Sequence, residues 1–195
     1  VCSRPMAKKP AAAKSASVVL DGEALGVADV VAVARGTGGR GVSLAKIGTK
    51  AVSAMKRSRA VVERALRDGK PHYGINTGFG SLSKQRINDA DLAALQLNLV
   101  RSHAAGIGEP LPDEVVRAMM LLLAASLSRG LSGVRPVVAD TIVAMLNAGI
   151  TPIVPSVGSV GASGDLAPLA HVALVALGEW KARVGSDGGS DAAGG

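Results

Sequence analysis

The stretch GSVGASGDLAPLAH, Gly158 to His171, decides how this chain is read. Small, turn-favouring residues run directly into an apolar segment, which predicts a long loop over 151–164 and a helix over Asp165–Leu177. Pro168 falls in the first turn of that helix, where its missing N–H and fixed φ are tolerated. Ser163 or Asp165 reads as the cap residue that accepts an early helical N–H. A helix start of this kind favours negative charge. The glycines do not read as a phosphate cradle, because no lysine follows them and no strong strand precedes them.

Upstream, the hydrophobic spacing gives more helices. Pro112-Asp113 opens one that runs to about Arg129 and stops at Gly130, and a second covers about Val138–Asn147 and stops at Gly149. Asp89–Gly106 has an apolar stripe through Leu92, Leu95 and Leu99. Ser43–Asp68 has one broad apolar face and ends at Gly69 and Pro71. Val18–Leu20 followed by Asp21-Gly22 reads as a short strand and turn, Ala28–Arg35 as a short helix, Gly36–Gly41 as a glycine-rich break, and 72–83 as a loop. Residues 1–16 read as a flexible basic arm, 17–184 as one domain and 185–195 as a low-complexity linker or tail.

Composition narrows the classes. The chain has 195 residues, 48% hydrophobic and only 2% aromatic, so Ala, Val, Leu, Ile and Met must build the core. That suits closely packed helices and poorly suits an all-β sandwich. Three aromatics are too few for a base-stacking nucleic-acid module. Residues 1–70 hold 14 of the 22 Lys and Arg but 5 of the 15 Asp and Glu. With no nucleic-acid motif beside it, this basic third reads as a solvated helix face plus the arm. The single cysteine, Cys2, leaves no internal disulfide and no Cys-rich zinc site, and the expected compartment is the reducing cytoplasm. The longest apolar runs, Val115–Leu127 and Ile142–Val154, fall short of a membrane span, and no membrane or nucleic-acid partner is expected.

Five segments together carry a resemblance. They are Tyr73–Gly80 (YGINTGFG), Leu97–Gly106 (LNLVRSHAAG), Ser132–Pro136 (SGVRP), Asn147–Pro152 (NAGITP) and Gly158–His171. In this order and at this spacing, they resemble the N-terminal part of the aromatic amino-acid ammonia-lyases and aminomutases, most closely the histidine ammonia-lyases. The resemblance runs from about Val18 to Trp180. It implies a mainly α fold, the N-terminal portion of the ammonia-lyase fold, with a few short strands and long glycine-rich active-site loops.

The resemblance also implies chemistry. Ala162, Ser163 and Gly164 would cyclise with loss of two waters into a methylidene-imidazolone, whose methylidene carbon comes from Ser163; no metal and no nucleotide is implied. Tyr73 matches the family's catalytic base, and Ser102 and His103 match the position that contacts the substrate side chain. Gly80 and Asp165 would position the loops. His171, on the apolar helix, reads as a satisfied core histidine. The implied reaction is elimination of ammonia from L-histidine to urocanate. Tyrosine or phenylalanine ammonia-lyase or aminomutase activity is the alternative, and a non-catalytic fragment or helix-packing subunit is another. Family enzymes are more than twice this long and work as homotetramers, so a homo-oligomer and a complementary C-terminal chain are the expected partners.

Overall fold

The computed structural model describes residues 17–36, 44–80, 83–161, 164–185 and 191–192. The predicted arm (1–16), residues 37–43 with most of the Gly36–Gly41 break, Ala162 and Ser163, and most of the 185–195 tail lie outside the described residues. The elements in chain order are β1 (Val18–Leu20), α1 (Val27–Arg35), β2 (Ala45–Ile47), α2 (Thr49–Arg67), α3 (Asp89–His103), β3 (Ile107–Pro110), α4 (Asp113–Ser128), α5 (Pro136–Asn147), β4 (Ile150–Pro152), β5 (Pro155–Val157), α6 (Leu166–Ala176), β6 (Ala182–Val184) and β7 (Asp191–Ala192). The mainly helical expectation holds.

The core forms around α4. Val116, Met120 and Ala124 recur at every fourth position and are fully buried, with Leu121 beside them. That spacing puts them on one face. They meet Val33 of α1 and Ile142, Val143, Met145 and Leu146 of α5, while Val172 of α6 and Val154 close the cluster. No aromatic side chain is in this cluster, so Leu, Ile, Met, Val and Ala do the close packing. Gly130, which ends α4 with φ +69°, lies so near α2 that a Cβ would sit 2.6 Å from the Ala54 backbone.

One charged side chain enters this core. Arg117 is buried on α4, and its guanidinium donates to the carbonyls of Val33 (3.1 Å), Ala34 (3.1 Å) and Gly36 (2.8 Å). These are carbonyls that the C-terminus of α1 leaves without helical partners. Burial pulls the guanidinium's pKa below its ordinary value, and Asp113 opposes that shift.

Short strands correct several sequence expectations. Ser43–Asp68 is not one helix: Ala45–Ile47 pairs in parallel with β1, Val18↔Ala45 to Leu20↔Ile47, and α2 begins only at Thr49. The strand is held from α5, because the Asn147 carboxamide accepts from the N–H groups of Leu44 and Ala45 and donates to the Ala45 carbonyl. The helix expected to reach Gly106 ends at His103, and β3 follows. The loop expected over 151–164 contains most of β4 and all of β5. β3 and β5 pair antiparallel, Ile107↔Val157 and Pro110↔Pro155. β4, β6 and β7 form a three-stranded antiparallel sheet. No helix among the described residues is long and apolar enough to cross a membrane.

Candidate active site

Three segments carry the candidate side chains. The first is the loop between α2 and α3. Asp68 caps the end of α2, and its carboxylate accepts from the Lys70 N–H (2.9 Å) and pairs with His72 Nε2 (2.8 Å). The Lys70 N–H first, and His72 second, hold the Asp68 carboxyl below its ordinary pKa. Asn76 is fully buried; its carboxamide accepts from the His72 N–H (2.7 Å) and donates to the Lys70 carbonyl (2.9 Å). Asn76 thereby ties residues 70–76 into a fixed turn. The Ile87 N–H donates to the Asn76 carbonyl, and Thr77 bridges to Arg86, which closes the other side. Tyr73 stands outward on this turn. It is 67% exposed, with its ring edge against Phe79 at 5.9 Å between centroids. Gly80 ends the segment in a left-handed conformation (φ +59°) that most side chains would strain.

The second segment is the end of α3. Ser102 Oγ donates to the Leu99 carbonyl at 2.9 Å, and His103 Nδ1 lies 2.7 Å from the same oxygen. A carbonyl oxygen only accepts, so Nδ1 carries the hydrogen. In the neutral ring Nε2 is then the lone-pair nitrogen, able to accept a hydrogen bond from outside. The backbone-satisfied helix-end histidine and a recognition histidine are therefore the same arrangement, each using a different ring nitrogen.

The third segment is the loop entering α6. Gly161 (φ +68°) and Gly164 (φ +108°) are both left-handed, and among the described residues beyond their chain neighbours nothing lies within 4 Å of where their Cβ atoms would be. Asp165 occupies the N-cap position of α6 but makes no side-chain cap bond. Its carboxylate accepts from the hydroxyl of Ser159 instead.

The second and third segments are brought together by the strands that the sequence reading missed. β3 leaves the end of α3, β5 enters the loop, and their pairing sets Gly106 against Gly158: a Cβ on Gly158 would lie 3.0 Å from Gly106 Cα. His171 of α6 adds a buried joint. Its Nε2 accepts from the Gly106 N–H at 3.2 Å, and its ring lies 4.7 Å from that of Trp180. His171 is core, as expected, but only half satisfied, since Nδ1 has no partner among the described residues. Burial lowers its pKa. Arg101, next to Ser102, makes a two-pronged pair with Glu179 (2.7 and 2.7 Å), and Trp180 Nε1 donates to the Ile153 carbonyl (2.7 Å). Sequence reasoning missed Ser159, Arg101 and Glu179. The signal available for the joint was glycine at both 106 and 158, where two backbones approach.

Tyr73 is held differently. The bonds that fix its loop go to the loop's own neighbours and to Arg86–Ile87 just ahead of α3. It therefore sits on a separate arm from the joined pair.

The chain matches the family model described as aromatic amino acid lyase over residues 25–193. It is 52% identical over 170 residues to a histidine ammonia-lyase of Gloeobacter violaceus, covering 87% of this chain and 32% of that protein. Among solved structures it resembles histidine ammonia-lyase from Trypanosoma cruzi, with a TM-score of 0.75 and 38% identity over 86% of this chain and 31% of that one. It also resembles tyrosine aminomutase from Streptomyces globisporus, with a TM-score of 0.76 and 32% identity over 90% of this chain and 31% of that one. The chain belongs to the aromatic amino acid lyase family. It spans between about a fifth and a third of the length of the curated relatives it matches.

Proposed function

We propose that this chain is the N-terminal portion of a histidine ammonia-lyase, a carbon–nitrogen lyase that converts L-histidine to urocanate and ammonia. The observation that carries the substrate assignment is His103. Its Nδ1–H is committed to the Leu99 carbonyl, its Nε2 is left as an acceptor, and β3 and β5 join the strand after its helix to the one that leads into the loop before α6. A neutral imidazole substrate offers the ring N–H that such an acceptor needs. The curated relatives named histidine ammonia-lyase support the same reading.

Ala162, Ser163 and Gly164 would form the methylidene-imidazolone. Gly164 fits that use, because its amide nitrogen has no side chain to shield it and no described residue beyond its chain neighbours lies within 4 Å of the place a Cβ would take. The group supplies an electrophile, which no ordinary side chain offers. Tyr73 would take the substrate's β-proton on its phenolic oxygen, and its exposed place on a rigid turn leaves that oxygen accessible. Ser102 and His103 would orient the side chain, and Gly80 and Asp165 would hold their loops. The segments beyond this chain's match to its relatives would supply the carboxylate-binding arginine and the rest of the site, within a homotetramer.

The aminomutase reading is favoured by one observation, the likeness to tyrosine aminomutase. A phenol can also donate to His103 Nε2. The test is to incubate the protein, together with the complementary C-terminal part, with histidine, tyrosine and phenylalanine in turn. Urocanate from histidine supports the lyase reading. A β-amino acid from tyrosine sinks it in favour of a mutase. No product, with the Ala162–Gly164 peptide at its full mass, leaves a non-catalytic fragment.

A further inference from the structure

We propose that Ser159 is a positioning residue for ring closure at Ala162–Gly164: its hydroxyl donates to the Asp165 carboxylate and clasps the loop across its neck. The inference rests on the functional reading above.

Three observations carry it. Ser159 and Asp165 lie on either side of Val160–Gly164, and the hydrogen bond between their side chains is six residues long in sequence. Asp165 stands where a carboxylate ordinarily caps a helix, yet it makes no cap bond, so its acceptor is turned from the helix to the loop. Between the two, no described residue beyond the chain neighbours lies within 4 Å of where a side chain on Gly161 or Gly164 would begin, so the Ser159–Asp165 bond is the contact the described residues offer here. The rung below is already fixed, because Gly158 sits against Gly106 and against Ala167 of α6. The Ser159–Asp165 bond is the next rung up and the last before the tripeptide.

Ring closure needs what such a clasp provides. The Gly164 nitrogen must bond to the Ala162 carbonyl carbon. The Ala162 oxygen then leaves as water with the amide hydrogens of Gly164 and Ser163. A second water takes the Ser163 hydroxyl and its Cα hydrogen, which forms the exocyclic methylidene. No oxidant or reductant enters. The first bond is limited by how often the two atoms meet, and pinning both ends of a short glycine-containing segment removes conformations in which they do not.

The test compares the full chain with Ser159→Ala, Ser159→Val and Ser159→Thr. After a pulse of expression, the fraction of the 158–168 peptide that is lighter by two waters is followed in time. Helicity and thermal midpoint are measured on the same samples. The expected result is closure slowed about ten-fold in the Ala and Val variants, the range of one hydrogen bond to a charged group. The Thr variant restores the parent rate, and all four share one melting curve. Closure at the parent rate in Ser159→Ala overturns the proposal, and so does a folded Thr variant that fails to restore it. If the parent peptide itself keeps full mass in the folded chain, the functional reading fails instead. The clasp is then judged by amide exchange, and a 158–168 peptide that exchanges no faster in Ser159→Ala than in the parent overturns it as well.

Discussion

Acidification should unpick the joint between α6 and the end of α3 through one side chain. His171 Nε2 accepts from the Gly106 N–H at 3.2 Å, which a neutral ring with its hydrogen on Nδ1 can do. Protonation puts hydrogens on both nitrogens, so the acceptor is lost and a charge is left buried beside Trp180, Pro155 and Gly106. Burial therefore holds the folded-state pKa below the ordinary value of about 6.5. The sign follows from proton counting. Below that value the unfolded chain binds a proton that the folded chain refuses, so stability falls as pH falls. The loss begins near the unfolded pKa and continues until the folded pKa is passed. Above it, His171 contributes no slope. Within the window the slope from this one group approaches about 1.4 kcal/mol per pH unit. The assay is urea unfolding at a series of pH values, for the parent and for His171→Gln, whose amide oxygen can accept from Gly106 without titrating. The parent should lose stability faster than the variant below pH ~6.5, and the two should run parallel above it. Asp68 and the other carboxylates contribute equally to both curves and cancel in the difference. Parallel curves throughout, or a ring nitrogen spectrum with the hydrogen on Nε2, would refute the reasoning.

Replacing Arg117 by Met keeps an unbranched apolar stem but removes the guanidinium and leaves the carbonyls of Val33, Ala34 and Gly36 without their donor; a loss of about 2–4 kcal/mol in chemical unfolding is expected, with early exchange of α1 amides as its local mark. Gly130→Ala must place a Cβ 2.6 Å from the Ala54 backbone at φ +69°, so α2 has to move away from the α4 end, and the midpoint should drop by the equivalent of at least about 2 kcal/mol. Tyr73→Phe should leave both the fold and the mass of the 158–168 peptide as in the parent, because the exposed phenol takes no part in packing beyond the Phe79 edge contact. In the complete enzyme the same change should remove at least about a hundred-fold of the elimination rate, the low end for a general base, and an unchanged rate would take the base role from Tyr73.

The helices were legible and the strands between them were not. α4 could be read because its buried residues repeat every four positions inside one continuous segment, a signal that needs no partner to be seen. β2, β3, β4 and β5 are three or four residues each, too short to show a period of two, and β3 and β5 even contain the prolines that argue against a strand. Pro110 and Pro155 are accommodated at the end of an isolated two-stranded pair, where a missing N–H leaves no neighbouring ladder broken. What makes these segments strands lies far away in sequence. Asn147, for example, supplies three hydrogen bonds to Leu44 and Ala45 across about a hundred residues. A pattern reading of Ser43–Asp68 sees a helical face there because nothing local says otherwise.

The candidate site divides along the same line. Its residue types were legible in the motifs at Tyr73–Gly80, Leu97–Gly106 and Gly158–His171, but the joint that makes neighbours of two of them was not. That joint consists of β3 against β5, the two glycines where the backbones meet, the His171 acceptor and the Arg101–Glu179 pair. All of these bind the end of α3 to α6 or to the segments on either side of it. None is on the turn that carries Tyr73, which has its own internal scaffold in Asn76 and Asp68. The chain therefore presents two separately scaffolded parts of the candidate site, His103 joined to the loop entering α6 and Tyr73 on its own turn. Their relative placement is the property on which an elimination would depend. In a protein whose relatives are more than twice as long, the segments beyond this match are the natural means of setting it. Loss of those segments should spare the mass change at Ala162–Gly164, which needs only the joined body, and abolish turnover, which needs both.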